Sequence, residues 1–191
     1  MTNARPPKGT GAVGVLPCGH TQATGPQRQV PAALTPEYAL TGCILLVDLP
    51  TACAVLDRVR DSDVGDYRLQ LVLSVARGLA AEGIRPDSTL VLDRAVKSGT
   101  VTGAAKIGDL ADLIHNLARS VPVPVSVHWY AEAVIENAVL RRLREAVTRI
   151  SQAITNGAVD AALELAAREI ADVYVVAARR ATPAPSLKVV K

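Results

Sequence analysis

Phenylalanine is absent from this chain of 191 residues, Trp129 is its only tryptophan, and four tyrosines complete the aromatic set. So few rings exclude the stacking platform on which sequence-tolerant single-strand binders lay nucleic-acid bases. The core has to be built from Ala, Val, Leu and Ile, whose small side chains suit close helix packing. Cysteine is scarce too: Cys18, Cys43 and Cys53 form an odd set without repeated spacing, which excludes a disulfide framework and fits a reducing cytoplasm. Cys43 and Cys53 read as core residues. No long hydrophobic run exists, since the apolar stretches at 43–47 and 173–178 are far too short to span a bilayer, and residues 1–8 lead into no apolar signal segment. A soluble, unexported, cytoplasmic protein is expected. A strong charge of one sign is also missing. The balance of 21 basic against 18 acidic residues leaves +3, and much of that sits near the ends, in Arg5, Lys8, Arg28, Arg179, Arg180, Lys188 and Lys191. DNA binding is therefore expected to be at most weak and non-specific.

The patterns that carry chemistry are incomplete. Gly9-Thr10-Gly11-Ala12-Val13-Gly14 fits a dinucleotide fingerprint literally, but no strand precedes it and Pro17 interrupts the segment where a helix would have to start. Gly99 and Gly103 precede Lys106 without the Gly-Lys-Ser/Thr ending that wraps phosphates and places a hydroxyl on magnesium, so this is no Walker loop. Cys18 and His20 supply two metal ligands where a tetrahedral site needs four, and His115 and His128 fall on separate helices with no nucleophile spaced for activation. The reading assigns no catalytic residue, no cofactor and no metal. Any ATPase activity would have to come from another chain.

What the sequence does contain is helical periodicity. Residues 1–34 are rich in Gly, Pro, Thr and Gln and read as a flexible arm. Thr35-Pro36-Glu37 then supplies an N-cap, a first-turn proline and a first-turn acid, followed by Tyr38, Leu40, Ile44 and Leu45 on one face. A second short helix starts near Pro50, with Cys53, Val55, Leu56 and Val59 at helical spacing. A third runs over 66–82 with Leu69, Val72, Leu73, Ala76 and Leu79 or Ala80 inward and Gly83 as its stop. Asp87 caps a fourth, in which Leu90, Leu92 and Val96 are expected to face the core, and Ile107, Leu110, Leu113, Ile114 and Leu117 mark a fifth. Ser126 is the expected cap of a sixth helix of roughly 29 residues, about 43 Å long. Asn156-Gly157 ends it in a tight turn, and a seventh helix with an apolar stripe of nearly equal length returns. Exposed flanks are expected to carry the ion pairs Glu145 with Arg149 and Glu164 with Arg168. The fold class is therefore all-α, a compact bundle of about five short helices (35–125) followed by a long antiparallel helical hairpin (126–181) in the same domain, with a flexible basic tail at 182–191.

Within that hairpin, Tyr130-Ala131, Val134, Glu136, Ala138-Val139-Leu140-Arg141 and Leu143 resemble the N-terminal, collar domain of DnaB-family replicative DNA helicases. The likeness extends over roughly 35–180. Glu37, Leu40 and Gly42 match the first-helix pattern, Asp63 stands at a family aspartate, and Leu71, Val72, Leu73, Leu79, Gly83, Asp87, Leu110 and Leu113 keep the spacing. Departures are Val64-Gly65 where the family has Phe-Tyr, Leu69-Gln70 for His-Arg, and Thr102-Gly103 for Gly-Gly. The resemblance implies a collar without its motor, a domain that dimerises through the hairpin, builds a ring with other dimers and offers a surface to primase and loader proteins.

Two residue groups are singled out. Helices this long extend beyond a body of five short ones while still carrying apolar residues, so a second copy is expected to cover Val139, Leu143, Val147, Ile150 and Ile154 on one helix and Leu163, Ile170 and Val173 on the other, with Val159, Ala166 and Ala177 continuing that stripe. Arg141, Arg142, Arg144 and Arg149 cluster on the sixth helix, where they could meet phosphate or an acidic partner. The functional expectation is a non-enzymatic homodimeric module that binds the replicative helicase or primase. The alternative is a small basic helical protein that associates with DNA through its tails and this arginine cluster.

Overall fold

Thr35 opens the first helix as its spacing predicts, its hydroxyl oxygen accepting a hydrogen bond from the Tyr38 amide at 3.3 Å. The computed structural model describes residues 35–121, 123–157 and 159–181; the expectations for the arm at 1–34 and the tail at 182–191 fall outside these. The order is α1 (Pro36–Ile44), α2 (Leu49–Arg58), α3 (Tyr67–Ala81), α4 (Ser88–Lys97), α5 (Ala104–Ser120), α6 (Val127–Thr155) and α7 (Val159–Ala177), with short 3-10 turns at Asp61–Asp63, Pro124–Ser126 and Ala178–Ala181. No strand occurs among the described residues, and none of their helices is long and apolar enough to cross a membrane.

Aspartates set three of the starts. Asp48 accepts from the Thr51 amide, Asp66 from that of Arg68, and Asp87 from both Thr89 and Leu90, satisfying donors that the first helical turn leaves free. Helix α1 is the hub of the body. Its residues 39–44 are all buried, and it packs against α3, α5 and α6. The approach to α5 is so close that a Cβ on Gly42 would stand 2.6 Å from the Leu117 carbonyl oxygen. Around α1 the core gathers Val55 and Leu56 from α2, Leu73 and Leu79 from α3, Leu117 from α5, and Val134, Ile135 and Ala138 from α6.

Several expectations need correction. In α4 the inward residues are Val91 and Ala95, whereas Leu90 and Val96 are each 38% exposed; Val91 and Ala95 stack one turn apart on the core face, and Leu90 and Val96 each lie one residue, or 100°, outside that pair. Cys43 is buried, but Cys53 is only half-buried. Ser126 stands at the start of α6 without a side-chain capping bond, because the chain enters through the 3-10 turn at Pro124–Ser126. Glu164 and Arg168 form no ion pair among the described residues, both side chains remaining in solvent where the pairing energy is small. The hairpin turn is as expected, with Gly157 at φ 73°, a conformation that costs glycine little, but its arms are unequal, 29 residues in α6 against 19 in α7, because the second arm tightens into the 3-10 turn at Ala178–Ala181.

Candidate protein-interaction site

The two long helices do not each present a single apolar stripe; each presents two. On α6, Val139 and Ala146 are buried, while Leu140, Leu143, Val147 and Ile154 are exposed, the last two by 62% and 65%. On α7, Ala162, Val173 and Val176 are buried, while Val159, Leu163, Ile170 and Tyr174 are exposed. At 100° per residue the exposed set lies roughly 90° round each helix from the buried set, and in the same rotational sense. Because α6 and α7 are antiparallel, equal offsets of one sense bring both exposed stripes to the same side of the hairpin.

The opposite side confirms this geometry by its charge. There Arg149 reaches across to Glu169 at 2.8 Å, with Glu145 at 4.0 Å, and Arg142, Glu145, Arg149, Glu169 and Asp172 line a cavity of about 370 Å³ with Ser62. The hairpin is thus polar on one side and apolar on the other. Of the eight residues expected to form an interface, Leu143, Val147, Ile154, Leu163 and Ile170 lie on the open apolar side. Ile150 is half-buried, and Val139 and Val173 are spent inside the chain. Of the residues added to the α7 stripe, Val159 is open, while Ala166 and Ala177 are half-buried. Leu140 and Tyr174 belong to the open side and were missed. Tyr174 follows Ile170 by one turn, a spacing that was available in the sequence.

The arginine cluster divides in the structure. Arg141 donates to the carbonyls of Ser62 and Asp63 at 3.2 and 2.9 Å and pairs with Glu37 at 3.5 Å. Arg142 meets the Ser62 hydroxyl, Arg149 is paired across the hairpin, and Arg144 is exposed. Sequence reasoning missed the centre of this arrangement. Asp63, fully buried, receives both guanidinium nitrogens of Arg179 at 2.6 and 2.9 Å and the Arg60 amide at 2.8 Å. Arg77 from α3 donates to the carbonyls of Leu56 and Val59 and to the Asp61 carboxylate. Arg58 pairs with Glu132 at 2.8 Å. Four arginines from α3, α6 and the end of α7 therefore grip the turn between α2 and α3, clamping the hairpin to the body. No pattern of spacing marks a contact between residues 116 apart; the family aspartate at 63 was the only signal.

Burial pushes the Cys43 thiol up to about 11, so the thiolate is suppressed at neutral pH. The side chains of Arg68 and Arg94 hold the carboxyls of Asp66 and Glu82 below their ordinary values, as surface pairs do.

No protein-family model matches the chain. Over 127 residues, 66% of its length, it is 32% identical to the replicative DNA helicase DnaB of Leifsonia xyli subsp. xyli (strain CTCB07). Over 151 residues, 78% of its length, it is 33% identical to the replicative DNA helicase DnaB of Mycobacterium leprae (strain TN). These matches take in 27% and 24% of the two helicases, so the chain spans about a quarter of the length of the relatives it matches. A crystal structure of the N-terminal domain of DnaB helicase from Mycobacterium tuberculosis aligns with a TM-score of 0.64 and 34% identity, covering 76% of this chain and 99% of that one.

Proposed function

This chain belongs to the family of DnaB helicase N-terminal domains, and from that premise we propose that it is a non-catalytic assembly module of DNA replication, pairing with a second copy through the apolar side of its hairpin and presenting the paired domains to a replicative helicase or a primase. One observation carries the reading. Leu140, Leu143, Val147 and Ile154 of α6 share one open side with Val159, Leu163, Ile170 and Tyr174 of α7. Scattered surface leucines need no explanation, but eight large apolar residues on one face do.

The dimensions suit a protein partner. A face as long as α7, about 28 Å, and two helix diameters or about 20 Å wide approaches the roughly 800 Å² that each member of a stable pair contributes. A two-fold axis through such a face pairs like with like and yields a four-helix arrangement. Solution mass tests this directly. The expected particle has twice the 20.0 kDa of one chain, and Val147→Asp or Leu163→Asp, both at exposed positions, should return it to a single chain with its helix content intact. A wild-type protein that stays at the mass of one chain at every concentration refutes the pairing. The helicase or primase half is tested by mixing the purified proteins. Co-elution that is lost in Leu163→Asp supports assembly through this face, and separate elution removes the partner.

A further inference from the structure

Helix α6 changes character after Ala146. Its first part is held by the body, with Val127, Ala131, Val134, Ile135, Ala138 and Val139 all buried. The stretch at 140–146, Leu-Arg-Arg-Leu-Arg-Glu-Ala, then consists of strong helix formers. Residues 147–156 have neither support. None of them is buried; Ile150 and Ala153 are half-buried and the others are exposed. The segment reads Val-Thr-Arg-Ile-Ser-Gln-Ala-Ile-Thr-Asn, in which β-branched and short polar side chains of low helix propensity predominate. Thr148 and Thr155 also donate their hydroxyls back to the carbonyls of Arg144 and Ser151, both at 2.9 Å, a bond that slightly destabilises a helix.

Little fastens this segment to α7. Among the described residues its only ion pairs are those of Arg149, with Glu169 at 2.8 Å and Glu145 at 4.0 Å. On the returning arm, Ala162 is the only fully buried residue described before Val173, and alanine brings a single methyl group to the contact. The large apolar side chains that could hold the segment, Val147 and Ile154, point to the open side with Leu163 and are 62% and 65% exposed. A helical segment this short is marginal in water without packing, and its local opening lies at the low end of the molecule's stability range. Covering Val147 and Ile154 together requires the segment to be helical, because the helix is what sets both on one side. Helix and cover therefore stabilise each other.

We propose that residues 147–156 fold on pairing: they open and close in the single chain and are fixed as helix when a second copy covers the open side, so that their helix propensity sets the strength of association. This rests on the pairing of the preceding section, and hydrogen exchange separates the two. At concentrations where the mass is that of one chain, the amides of 150–156 should exchange on the order of a hundredfold faster than those of 134–139, and the gap should narrow as pairs form. Thr148→Ala with Thr155→Ala, both about 100° round α6 from the middle of the apolar stripe, should slow that exchange and lower the dissociation constant of the pair about tenfold. Glycine at the same two positions removes the same hydroxyls but disfavours the helix, and should weaken pairing about threefold. Equal protection of 150–156 and 134–139 in the single chain overturns the proposal whether or not the protein pairs. So does a gain in affinity with glycine, which would trace the effect to side-chain contacts. A mass of one chain at every concentration, with 150–156 exchanging fast, overturns the coupling through the pairing alone.

Discussion

Asp63 is the residue on which the attachment of the hairpin to the body turns. Its carboxylate has no exposed surface and is met by Arg179 twice and by the Arg60 amide once. The Nε atoms of Arg179 and Arg58 are buried without a hydrogen-bond partner, so part of the cost of taking these guanidinium groups out of water is not recovered. Removing one charge of a buried pair is more damaging than removing both, because the remaining ion is stranded. Asp63→Asn is accordingly expected to cost about 3 kcal/mol, read from urea unfolding. The joint replacement Asp63→Leu with Arg179→Met should cost less than Asp63→Asn alone. A single substitution without effect would show that the clamp contributes nothing to stability.

Among the elements, α1 is confined most tightly, wedged between α5 and α6 with every residue from 39 to 44 buried. Gly42 makes this possible by letting the α1 backbone approach the last turns of α5. Gly42→Ala puts a methyl group 2.6 Å from the Leu117 carbonyl oxygen, which is backbone and cannot swing aside. The two helices must separate, and overpacking of this kind costs about 1–3 kcal/mol, even though alanine has the higher helix propensity. Thermal unfolding of the variant measures it; a gain in midpoint would mean that α5 yields without cost. The caps Thr35 and Asp87 were legible at this scale through local bonds, whereas Asp48 and Asp66, which cap α2 and α3 in the same way, were not read as caps. The facing of α4 was not, because Leu90, Val91, Ala95 and Val96 differ only in which of two adjacent directions the core occupies.

At the scale of the whole molecule, the hairpin separates two tasks. Its polar side and its two ends are tied to the body through Asp63, Arg179, Arg141 and Arg58, and its apolar side is open to solvent. The engagement of Arg141 and Arg149 within the chain weakens the DNA-associated alternative, since phosphate would have to compete with carboxylates and carbonyls already in place. If a second copy covers the apolar side, folding and association are linked, and the thermal midpoint should climb with protein concentration for the wild type while staying level for Leu163→Asp. A level midpoint for both would argue against pairing in the folded state.

Local interactions determined what the sequence could determine by itself: seven α-helices among the described residues, most of their limits, the turn at Gly157 and the family to which the pattern at 130–143 points. Caps, prolines and apolar spacing act over three or four residues and can be read without knowing the rest of the chain. Only tertiary structure decided which half of each long helix faces its neighbour. Val139 and Val173 were taken inward and Leu140 and Tyr174 left outward, because packing selects one of two apolar stripes a quarter turn apart. Tertiary structure likewise brought Asp63 to Arg179, since a buried carboxylate finds its counter-charge through the fold and not through sequence distance.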